Sequence, residues 1–497
     1  MAIRLLILVT FFLVVTGPAR ADLVQIQREH AVDGAGLARS AGGTELAPEL
    51  RIWRVPAAEV PALRRAGVVA LSRPEGLLRT LADSDIGDPL LSMQWWRAAV
   101  GADVLTPPGP GKPITVIDSG VDMNHPEFAN RPNTTVLNEQ TTDDEDEDHG
   151  TEVSSVVGAP ANGIGVVGVY PQAVLRLWDA SPFGFLNEGA AIEGIMEAAR
   201  RGPGVLNLSF GGEDDDPLLA QAIMYAYRTG SLVVAAAGNE GFEGSPTNYP
   251  AAYPHVLTVG ATNEQGRIAG FSTLSPSIDL AAPGVRIPVA EPFADDASGF
   301  VLDASGTSFS SPIVAGAAAW VWTVRPNLDN TQLFEVMRHS ARDIGPPGFD
   351  HASGYGLLSI PNALAAKPPA RDAQEPNEEP NQIEPHATFA SGTAPMTRPG
   401  RTSATISARV EKAEDPVDLY RVWSPAGMTL RARLTGRVVV RFLPRSANLR
   451  RARPLAVSKD HLAAYRNAGR AGYVYLEVRP SGVRAADYTV RLTSARR

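Results

Sequence analysis

Between about residue 112 and residue 360, short apolar runs alternate with stretches in which apolar residues recur at helical spacing. The apolar runs are largely continuous, which is typical of strands buried on both faces of a parallel sheet. The helical stretches between them predict helices that cover this sheet. In such sheets, functional residues gather at the carboxyl ends of the strands. The predicted strands are PITVIDSG, AVLRLWDAS, VLNLSFGG, SLVVAAAGN and HVLTVGAT.

Two of the helical stretches each carry one apolar face. The helical spacing groups Ile192, Ile195, Met196 and Ala199 in NEGAAIEGIMEAARRG, and Leu219, Ala222, Ile223 and Ala226 in DPLLAQAIMYAYRTG. Gly230 predicts the end of the second helix, because glycine is common just past a helix. Both faces are expected to pack against the sheet.

The pattern changes on either side of this region. Residues 22–85 predict a small strand–helix–strand unit, and residues 366–380 are rich in proline and charge, as in a linker. Residues 381–497 contain short alternating runs bounded by turns, which predict antiparallel strands. The sequence therefore predicts an α/β fold with a central parallel sheet flanked by helices, followed by a small C-terminal antiparallel β-sandwich domain.

The first residues read MAIRLLILVTFFLVVTGPARAD, in which a basic residue, an apolar run and a small-x-small sequence follow one another. This pattern predicts a secretory signal peptide over residues 1–21, cut before Asp22. The alternative is a membrane anchor, but the apolar run is too short to span a bilayer comfortably and no other long apolar stretch follows. We therefore expect a secreted protein, extracellular or in the cell envelope, without stable membrane insertion.

Composition excludes several classes of function. The 497 residues carry a formal charge of −9, which argues against nucleic acid as a partner, since nucleic-acid binders usually present a basic surface. The sequence contains neither a glycine-rich phosphate loop nor a histidine cluster at metal-binding spacing. It has no cysteine, which excludes a thiol nucleophile and disulfide bonds.

Polar residues mark the ends and starts of three predicted elements. Asp118 ends the strand PITVIDSG, His149 begins the helical stretch HGTEVSSVVG, and Ser308 lies in GTSFSSP ahead of another apolar run. Each alone is more often structural, but together they supply a nucleophile, a base and a carboxylate that orients the base. Asn239, after the strand SLVVAAAG, adds an amide donor for an oxyanion. The chain order Asp, His, Ser points to the subtilisin type of catalytic triad.

The segments VIDSGVDMNHPEF, HGTEVSSVVG and GTSFSSPIVAG, in this order, resemble the three signature segments of the subtilisin-like serine peptidases, or subtilases. The resemblance implies a catalytic domain over residues 86–365 with the subtilisin-like fold. It implies a serine endopeptidase that acts on protein or peptide substrates and needs no cofactor for its chemistry. The implied site comprises the triad Asp118, His149 and Ser308, the oxyanion donor Asn239, and a substrate cleft formed by Ser209, Phe210, Gly211, Ala236, Ala237 and Gly238.

Ser308 is then the nucleophile among the serines of GTSFSSP. Ser310 and Ser311 are expected to be small residues in the first turn of a buried helix. Pro312 is expected in the same turn, where the N–H groups have no helical partner.

Some residues depart from the common subtilase pattern. Asp148 precedes the catalytic histidine, Glu152 follows it, and Phe309 stands in place of methionine. None of these removes a catalytic group, so they bear on pocket shape and on the titration of His149. The acidic run Asp143–Asp148 is best interpreted as a solvated loop. The alternative hypothesis is that it raises the pKa of His149 and attracts basic substrates.

The resemblance also implies a structural calcium site, since oxygen ligands suit calcium and a chain without disulfides could use one. Glu240 and Asn248 fall near the expected main side-chain pocket, where Glu240 would favour a basic residue. The implied calcium ligands are Glu127, Asn162 and the carbonyl oxygens of Ile164 and Val166.

The flanking regions have resemblances of their own. Residues 22–85 resemble the inhibitory propeptide of subtilases, which would inhibit the enzyme intramolecularly and be removed between about Leu81 and Asp88. The tail resembles the bacterial pre-peptidase C-terminal domain through EPNEEPNQ, DLYRVWSPAG and DYTVRLT. Two alternatives stay open: a catalytically silent secreted binding protein that uses the C-terminal module, and a peptide ligase or cyclase that passes the acyl-enzyme to an amine. The intact catalytic residues argue against the first.

Overall fold

The structure, a computed structural model, describes residues 21–74, 87–141, 149–182, 185–293, 296, 298–372, 374–412, 414–445 and 452–496. The chain divides into two units, Met1–Asp85 and Ile86–Arg497. Most of the predicted signal peptide and of the predicted cleavage interval lies outside the described residues. The acidic run Asp143–Asp148 lies wholly outside them, so its predicted effect on His149 stays a hypothesis.

The first unit contains a four-stranded antiparallel sheet with the strand order β2-β3-β1-β4. The predicted strand–helix–strand corresponds to β3, α2 and β4. Val24, Trp53 and Leu63 are fully or almost fully buried and form part of one small core. The elements are β1 Ala21–Ile26, α1 Ala31–Ser40, β2 Thr44–Ala47, β3 Ile52–Pro56, α2 Val60–Arg65 and β4 Val69–Pro74.

The second unit contains a seven-stranded sheet with the strand order β11-β10-β9-β8-β5-β7-β6. Each strand in it is parallel to its neighbours. The predicted parallel sheet is therefore confirmed. An antiparallel hairpin of β12 Ile287–Ala290 and β13 Phe300–Ala304 lies outside it. The strands of the sheet are β5 Pro113–Asp118, β6 Thr134–Val136, β7 Val174–Asp179, β8 Val205–Leu208, β9 Leu232–Ala236, β10 Val256–Thr262 and β11 Leu280–Pro283.

Helices cover both faces of this sheet, because successive strand residues point to opposite sides. Leu232 and Val234 of β9 pack in one core with the helices α4 and α7, whereas Val233 packs in a second core with α5 and α6. The helices of the second unit are α3 Trp95–Val100, α4 His149–Gly158, α5 Glu188–Arg200, α6 Pro217–Arg228, α7 Thr307–Val324, α8 Asn330–His339, α9 Ile360–Ala365 and α10 Pro380–Ile383.

The two predicted helix faces are buried to different extents. On α6 the predicted face is buried as expected, and the helix stops at Arg228, before Gly230. On α5, Ile195 and Ala199 of the predicted face are buried, and Ile192 and Met196 are partly buried and pack against the same core. Gly194 lies against the ring of Trp178, since a Cβ at position 194 would lie 2.5 Å from that ring.

Helix α7 is apolar on nearly all sides, and 15 of its 18 residues are buried. A helix that is apolar all round is normally a core helix or a membrane span. Here its side chains pack in the main core against the sheet and α4. Across the parts of the chain that the structure describes, no helix has both the length and the apolar character needed to cross a bilayer.

The C-terminal region forms two four-stranded antiparallel sheets, with the orders β14-β21-β16-β19 and β15-β20-β17-β18. Leu430 and Val490 of the first sheet share one core with Val422 and Val440 of the second, so the predicted β-sandwich is confirmed. Its strands are β14 Ala404–Glu411, β15 Asp418–Ser424, β16 Thr429–Thr435, β17 Val438–Pro444, β18 Ala456–Val457, β19 Leu462–Arg466, β20 Gly472–Pro480 and β21 Ala485–Ala495.

Candidate active site

The candidate site lies at the carboxyl edge of the parallel sheet, where the sequence predicts function. Asp118 is the last residue of β5, and Asn239 follows β9 by three residues. His149 is the first residue of α4, and Ser308 is the second residue of α7. The hydrogen bonds and close approaches below connect these residues around the ends of the strands.

The buried carboxylate of Asp118 holds the imidazole of His149. Asp118 is fully buried, and its Oδ1 accepts from His149 Nδ1 over 2.7 Å and from the Ser119 N–H over 2.9 Å. Since an ionised carboxylate can only accept, His149 carries its proton on Nδ1 and presents Nε2 as an acceptor. This is the tautomer that a general base requires.

Glycine after the histidine permits the short Asp118–His149 distance. A Cβ at Gly150 would lie 1.8 Å from the carbonyl oxygen of Ser119, so no larger residue fits. The Gly150 N–H donates to Ser119 Oγ over 2.8 Å, which ties the start of α4 to the end of β5. The His-Gly pair of the motif is therefore a packing requirement as well as a chemical one.

The amide of Asn239 is oriented by Thr307. Asn239 Oδ1 accepts from the Thr307 N–H over 2.9 Å and from Thr307 Oγ1 over 3.0 Å. With its oxygen anchored there, the side chain presents Nδ2 as a donor toward Ser308. A Cβ at Gly306 would lie 2.9 Å from Ser308 Oγ and 3.5 Å from Asn239 Nδ2, so both atoms border the same small space.

The start of α7 differs from the prediction in one respect. Pro312 is the sixth residue of the helix, not a residue of its first turn, so the predicted reason for its tolerance was wrong. Proline lacks an N–H and leaves the carbonyl of the residue four positions earlier without a helical donor. That carbonyl belongs to Ser308, and it accepts from Ser209 Oγ over 2.8 Å instead.

A chain of side chains supports this bond. Ser311 Oγ donates to Asn207 Oδ1 over 2.8 Å, and Asn207 Nδ2 donates to Ser209 Oγ over 2.9 Å. Asn207 is the third residue of β8, and both it and Ser311 are fully buried. The chain fixes the backbone of Ser308 to the sheet through three side chains.

The two segments predicted to form the substrate cleft differ in how far their backbone is already hydrogen-bonded. Phe210 and Gly211 form no backbone hydrogen bond with any other described residue, so their edge is open to an added strand. In the second segment, the Ala237 N–H donates to Val259, and the Gly238 N–H donates to Thr307 Oγ1. Much of this second backbone is therefore already bonded within the fold.

Two features beside the cleft bear on side-chain recognition. Glu240 Oε2 accepts from Asn248 Nδ2 over 2.6 Å and from Thr273 Oγ1 over 2.9 Å, so the residues expected near the main pocket form one polar group. The other feature is a cavity of about 230 Å³ beside Phe210. It is lined by apolar and acidic residues, among them Leu186, Leu219, Tyr249, Glu213 and Asp214.

The side chains of the predicted calcium ligands Glu127 and Asn162 are bonded to each other. Glu127 Oε1 accepts from the Val166 N–H over 2.9 Å, and Glu127 Oε2 accepts from Asn162 Nδ2 over 3.0 Å. Asp88 Oδ1 accepts from the N–H groups of Asn162, Gly163 and Ile164. The loop therefore presents nitrogen donors to these two carboxylates, and burial raises the pKa of Glu127 to about 8. Calcium binding by this loop stays a prediction.

Sequence reasoning missed the residues that hold the site in place. Thr307 orients Asn239, and the pair Asn207 and Ser209 holds the carbonyl of Ser308. The signal for Thr307 was present, since it lies directly before the proposed nucleophile in GTS. The other partners lie about 100 residues away along the chain. The ring of Phe309 lies 6.0 Å from that of His149, in line with its expected effect on pocket shape.

The region that contains this site is similar to known proteins. Residues 109–356 match the model of the subtilase family. The subtilisin of Bacillus pumilus is 34% identical over 253 residues, which are 50% of this chain and 88% of that protein. The minor extracellular protease Epr of Bacillus subtilis (strain 168) is 33% identical over 274 residues, 54% of this chain. The chain spans only 40% of the length of the Epr protease.

A solved structure resembles more of the chain. Fervidolysin from Fervidobacterium pennivorans, a keratinolytic enzyme related to subtilisin, superposes with a TM-score of 0.51 at 20% identity. The match covers 90% of this chain and 69% of fervidolysin. At this level of identity the likeness concerns the fold alone.

Proposed function

Because the chain belongs to the subtilase family, the subtilisin-like serine peptidases, we propose that it is a secreted serine endopeptidase that hydrolyses peptide bonds in proteins or peptides. The observation that carries the proposal is the 2.7 Å bond between His149 Nδ1 and the buried Asp118 carboxylate, at the same sheet edge as Ser308. A nucleophilic serine needs a base in that state.

In the first step, Ser308 Oγ attacks the carbonyl carbon of the substrate while His149 Nε2 takes the hydroxyl proton. Asp118 stabilises the imidazolium that forms. The oxyanion of the tetrahedral intermediate accepts from Asn239 Nδ2 and from the Ser308 N–H. The latter N–H lies at the start of α7, where backbone donors have no helical acceptor and the helix dipole favours negative charge.

In the second step, His149 returns its proton to the nitrogen of the leaving amine, and the C–N bond breaks. An ester of Ser308 remains. Water then attacks this acyl-enzyme with His149 again as the base, which releases the carboxylic acid and restores the Ser308 hydroxyl. The cycle uses groups of the protein, the substrate and one water molecule, so it needs no cofactor.

The substrate would bind as an extended strand. Phe210 and Gly211 offer the backbone edge described above, and an extended peptide pairs with such an edge by main-chain hydrogen bonds. Glu240 would favour a basic side chain next to the cleaved bond, with Asn248 and Thr273 fixing one of its oxygens.

The protein would be made as a precursor. The signal peptide over residues 1–21 directs export, and residues 22–85 act as an inhibitory propeptide that is removed between about Leu81 and Asp88. The separate unit Met1–Asp85, with its own small core, supports this division. Its inhibitory role and its removal are part of the proposal.

The test is labelling of the secreted protein with a fluorophosphonate, followed by intact mass and peptide mapping, with Ser308→Ala as the control. We expect one label on Ser308, none in the variant, and a chain shortened to near residue 85. A labelled but full-length chain would reject removal of the propeptide. Folded, matured protein without a label would reject the peptidase and favour the silent binding protein.

A second assay separates hydrolysis from ligation. The purified enzyme is incubated with a peptide substrate and an excess of an amine nucleophile, and the product masses are measured. We expect free acids as the main products. Amide products that dominate at modest amine concentration would instead assign a ligase or cyclase.

A further inference from the structure

The C-terminal β-domain differs in charge from the catalytic region. Residues 381–497 hold 21 lysines and arginines against 8 aspartates and glutamates, a formal charge of +13. Residues 86–380 hold 14 against 37, a formal charge of −23. An asymmetry of this size is typical of chains whose basic part meets an anionic partner.

Four arginines of the β-domain lie together on the outer side of the sheet β14-β21-β16-β19. Alternate residues of its strands, among them Ala432, Ala463 and Val490, point into the core of the sandwich. Successive strand residues point to opposite sides, so the residues between them face outward. On β16, β19 and β21 these outward residues include the four arginines. We call them the arginine face: Arg431, Arg433, Arg466 and Arg491.

The register of the strands brings the arginine face together. Arg433 of β16 lies directly opposite Arg491 of β21. Arg466 of β19 lies opposite Thr429, which is two residues before Arg431 on β16. In antiparallel sheets the Cβ atoms of opposite residues are about 4.5–5.5 Å apart, and diagonal neighbours are about 7–8 Å apart. The four positions therefore form one patch across three strands.

No acid of the described chain balances this patch. Among the described residues, none of the four arginines has an ion pair or a side-chain hydrogen bond. On the other sheet, by contrast, Arg441 and Arg479 both bind Glu477. Like charges directly opposite each other destabilise a sheet. The domain pairs its arginines elsewhere and leaves these four open, which indicates that an external anion is their partner.

The positions around the arginines carry short side chains. Thr405 and Thr493 lie opposite Arg491 and Arg431, and Ala464 lies opposite Arg431 on the other side. The surface between the arginines is therefore low and flat, so an extended polymer can lie along it. The threonine hydroxyls can both donate and accept hydrogen bonds there.

The outward side of this sheet lacks the side chains that other anionic partners need. The structure describes every residue of its four strands, and none of the outward positions carries an aromatic ring. Proteins bind single-stranded nucleic acid by stacking bases on such rings. The one large aliphatic side chain at an outward position, Leu462, is half-buried. Binding to a bilayer surface depends on inserted apolar area, which this side does not offer.

We propose that the arginine face binds a linear acidic polysaccharide. The planar guanidinium fork matches the paired oxygens of an acidic group, and such charge-assisted bonds are stronger than neutral ones. The threonine hydroxyls bond to the sugar hydroxyls between the acidic groups. The partner is thus a polymer with regular negative charge and many hydroxyl groups.

Binding at the arginine face anchors the chain to an acidic matrix by its β-domain. The catalytic region carries the same sign of charge as the polymer, so the polymer is repelled there and contact is confined to the β-domain. The active-site edge then stays free for its own substrate. This anchoring does not depend on peptidase activity and can be tested on an inactive chain.

The direct test is fluorescence anisotropy of labelled oligosaccharides with the full chain carrying Ser308→Ala, at about 0.15 M salt. The probes are a heparin dodecasaccharide, which carries sulfate and carboxylate groups, and an oligogalacturonate of equal length, which carries carboxylates alone. One variant changes the arginine face to glutamine at all four positions. The matched control changes four arginines that pair with acids in the catalytic region and linker, namely Arg200, Arg201, Arg286 and Arg371.

We expect the parent to bind at least the heparin fragment and the arginine-face variant to bind it about 10–100-fold more weakly. The control should bind like the parent. Binding of both glycans would show that carboxylates suffice, and binding of heparin alone would assign the partner to sulfated polymers. A parent that binds neither glycan would overturn the proposal, as would a control that binds as weakly as the arginine-face variant.

Two further probes separate the other classes of anionic partner. Duplex DNA with the same number of charges and vesicles of phosphatidylcholine with phosphatidylglycerol are measured in the same way. Both should bind more weakly than the glycans. Tighter binding of either one, lost in the arginine-face variant, would assign the surface to that class and overturn the proposal.

Salt gives a readout that does not depend on any variant. Raising the salt from about 0.05 M to about 0.5 M should weaken glycan binding by the parent at least tenfold, because screening removes the attraction between exposed charges. An affinity that does not change with salt would overturn the proposal. The arginine-face variant should melt no lower than the parent, because it loses like-charge repulsion. A variant that melts lower would make the arginines structural.

Discussion

The active-site edge and the linker junction both bury charged residues, but they balance the charge differently. At the edge, one carboxylate, Asp118, faces one imidazole and one backbone N–H. At the junction of the linker and the β-domain, the buried guanidinium of Arg338 binds three carboxylates, those of Asp279, Glu335 and Glu411. The first region pairs one carboxylate with one imidazole. The second shares one cation among three acids.

This difference shows which interactions each region depends on. At the active-site edge, the buried polar groups would place atoms for the proposed reaction, so their loss should appear in catalytic rates. At the junction they hold two parts of the chain together, so their loss should appear in unfolding. A substitution in one region that changes both the catalytic rate and the stability would show that the two regions are coupled.

The largest effect is expected for Asp118→Asn. The amide keeps the shape of the side chain but presents a donor to His149, which favours the wrong tautomer of the imidazole. We expect kcat to fall about 10⁴-fold with little change in Tm. Hydrolysis of a chromogenic peptide and a thermal melt measure both. A fall in Tm with unchanged kcat would make Asp118 a structural residue.

At the junction, the largest effect is expected for Arg338→Met. The substitution leaves Asp279, Glu335 and Glu411 without their shared cation in an environment where Arg338 is only 2% exposed. Removing one partner from a buried ionic group costs about 3–5 kcal/mol of unfolding free energy. Urea unfolding of the Ser308→Ala chain measures the loss.

Arg200→Met is the matched control for Arg338→Met. Arg200 pairs with Glu197 on the surface of α5 and is itself largely exposed, and such pairs contribute about 0–1 kcal/mol. Equal losses for the two variants would mean that the junction behaves like a surface ion pair.

Back at the active-site edge, Asn239→Ala should lower kcat about 10²–10³-fold, because it removes one donor to the oxyanion. KM should change little, since the donor acts mainly in the transition state. Thr307→Ser sharpens the assignment: it keeps the hydroxyl that orients Asn239, so the rate should stay near that of the parent. A rate loss in Thr307→Ser as large as that in Asn239→Ala would argue that packing, not the amide, is responsible.

The comparison also separates what the sequence can predict from what it cannot. The parallel sheet, the covering helices and the β-sandwich follow from the local periodicity of apolar residues, which can be read in each segment separately. The catalytic candidates follow because each lies in a short motif beside a strand end or helix start. The close approach of Gly194 of α5 to the ring of Trp178 does not follow from helical spacing, because the partner lies on another element.

The junction was invisible in the sequence for a similar reason. Asp372 and Glu375 belong to the predicted linker, and Asp418 to a predicted strand of the β-domain. Only the folded chain brings one carboxylate oxygen of each within 4.8 Å of the others, with Asp418 fully buried. Residues far apart in sequence meet here, and no local pattern reports such a contact.

A smaller effect, visible in the pH dependence of stability, is expected for Glu335. Arg338 and His339 on its own helix and Arg409 of β14 outweigh burial and the nearby Asp415, and lower the pKa of Glu335 to about 2. Because the folded pKa lies below the unfolded value of about 4.5, this stabilisation is complete above pH 4.5 and is lost as the pH falls toward 2. The shift corresponds to about 3 kcal/mol. Unfolding free energies between pH 2 and 7 measure it.

Glu335→Gln should remove this part of the acid slope and leave the neutral-pH stability lower by a similar amount. Glu193→Gln, on the exposed side of α5, is the control and should keep the slope of the parent. If Glu335→Gln kept the full slope, the acid sensitivity would have to come from other carboxylates.

The smallest effect is expected for Ser209→Ala, which tests how the active-site edge holds its nucleophile. The substitution removes the donor to the Ser308 carbonyl and the acceptor of Asn207 Nδ2. Leaving such buried groups unbonded costs about 1–3 kcal/mol, so the Tm should fall. The rate of fluorophosphonate labelling at Ser308 should fall by less than about tenfold, because Asp118, His149 and Asn239 remain. Ser403→Ala, at an exposed position of the β-domain, should change neither. Unchanged stability and labelling in Ser209→Ala would mean that solvent replaces the lost donor, and that the start of α7 is held by Thr307 and its neighbours alone.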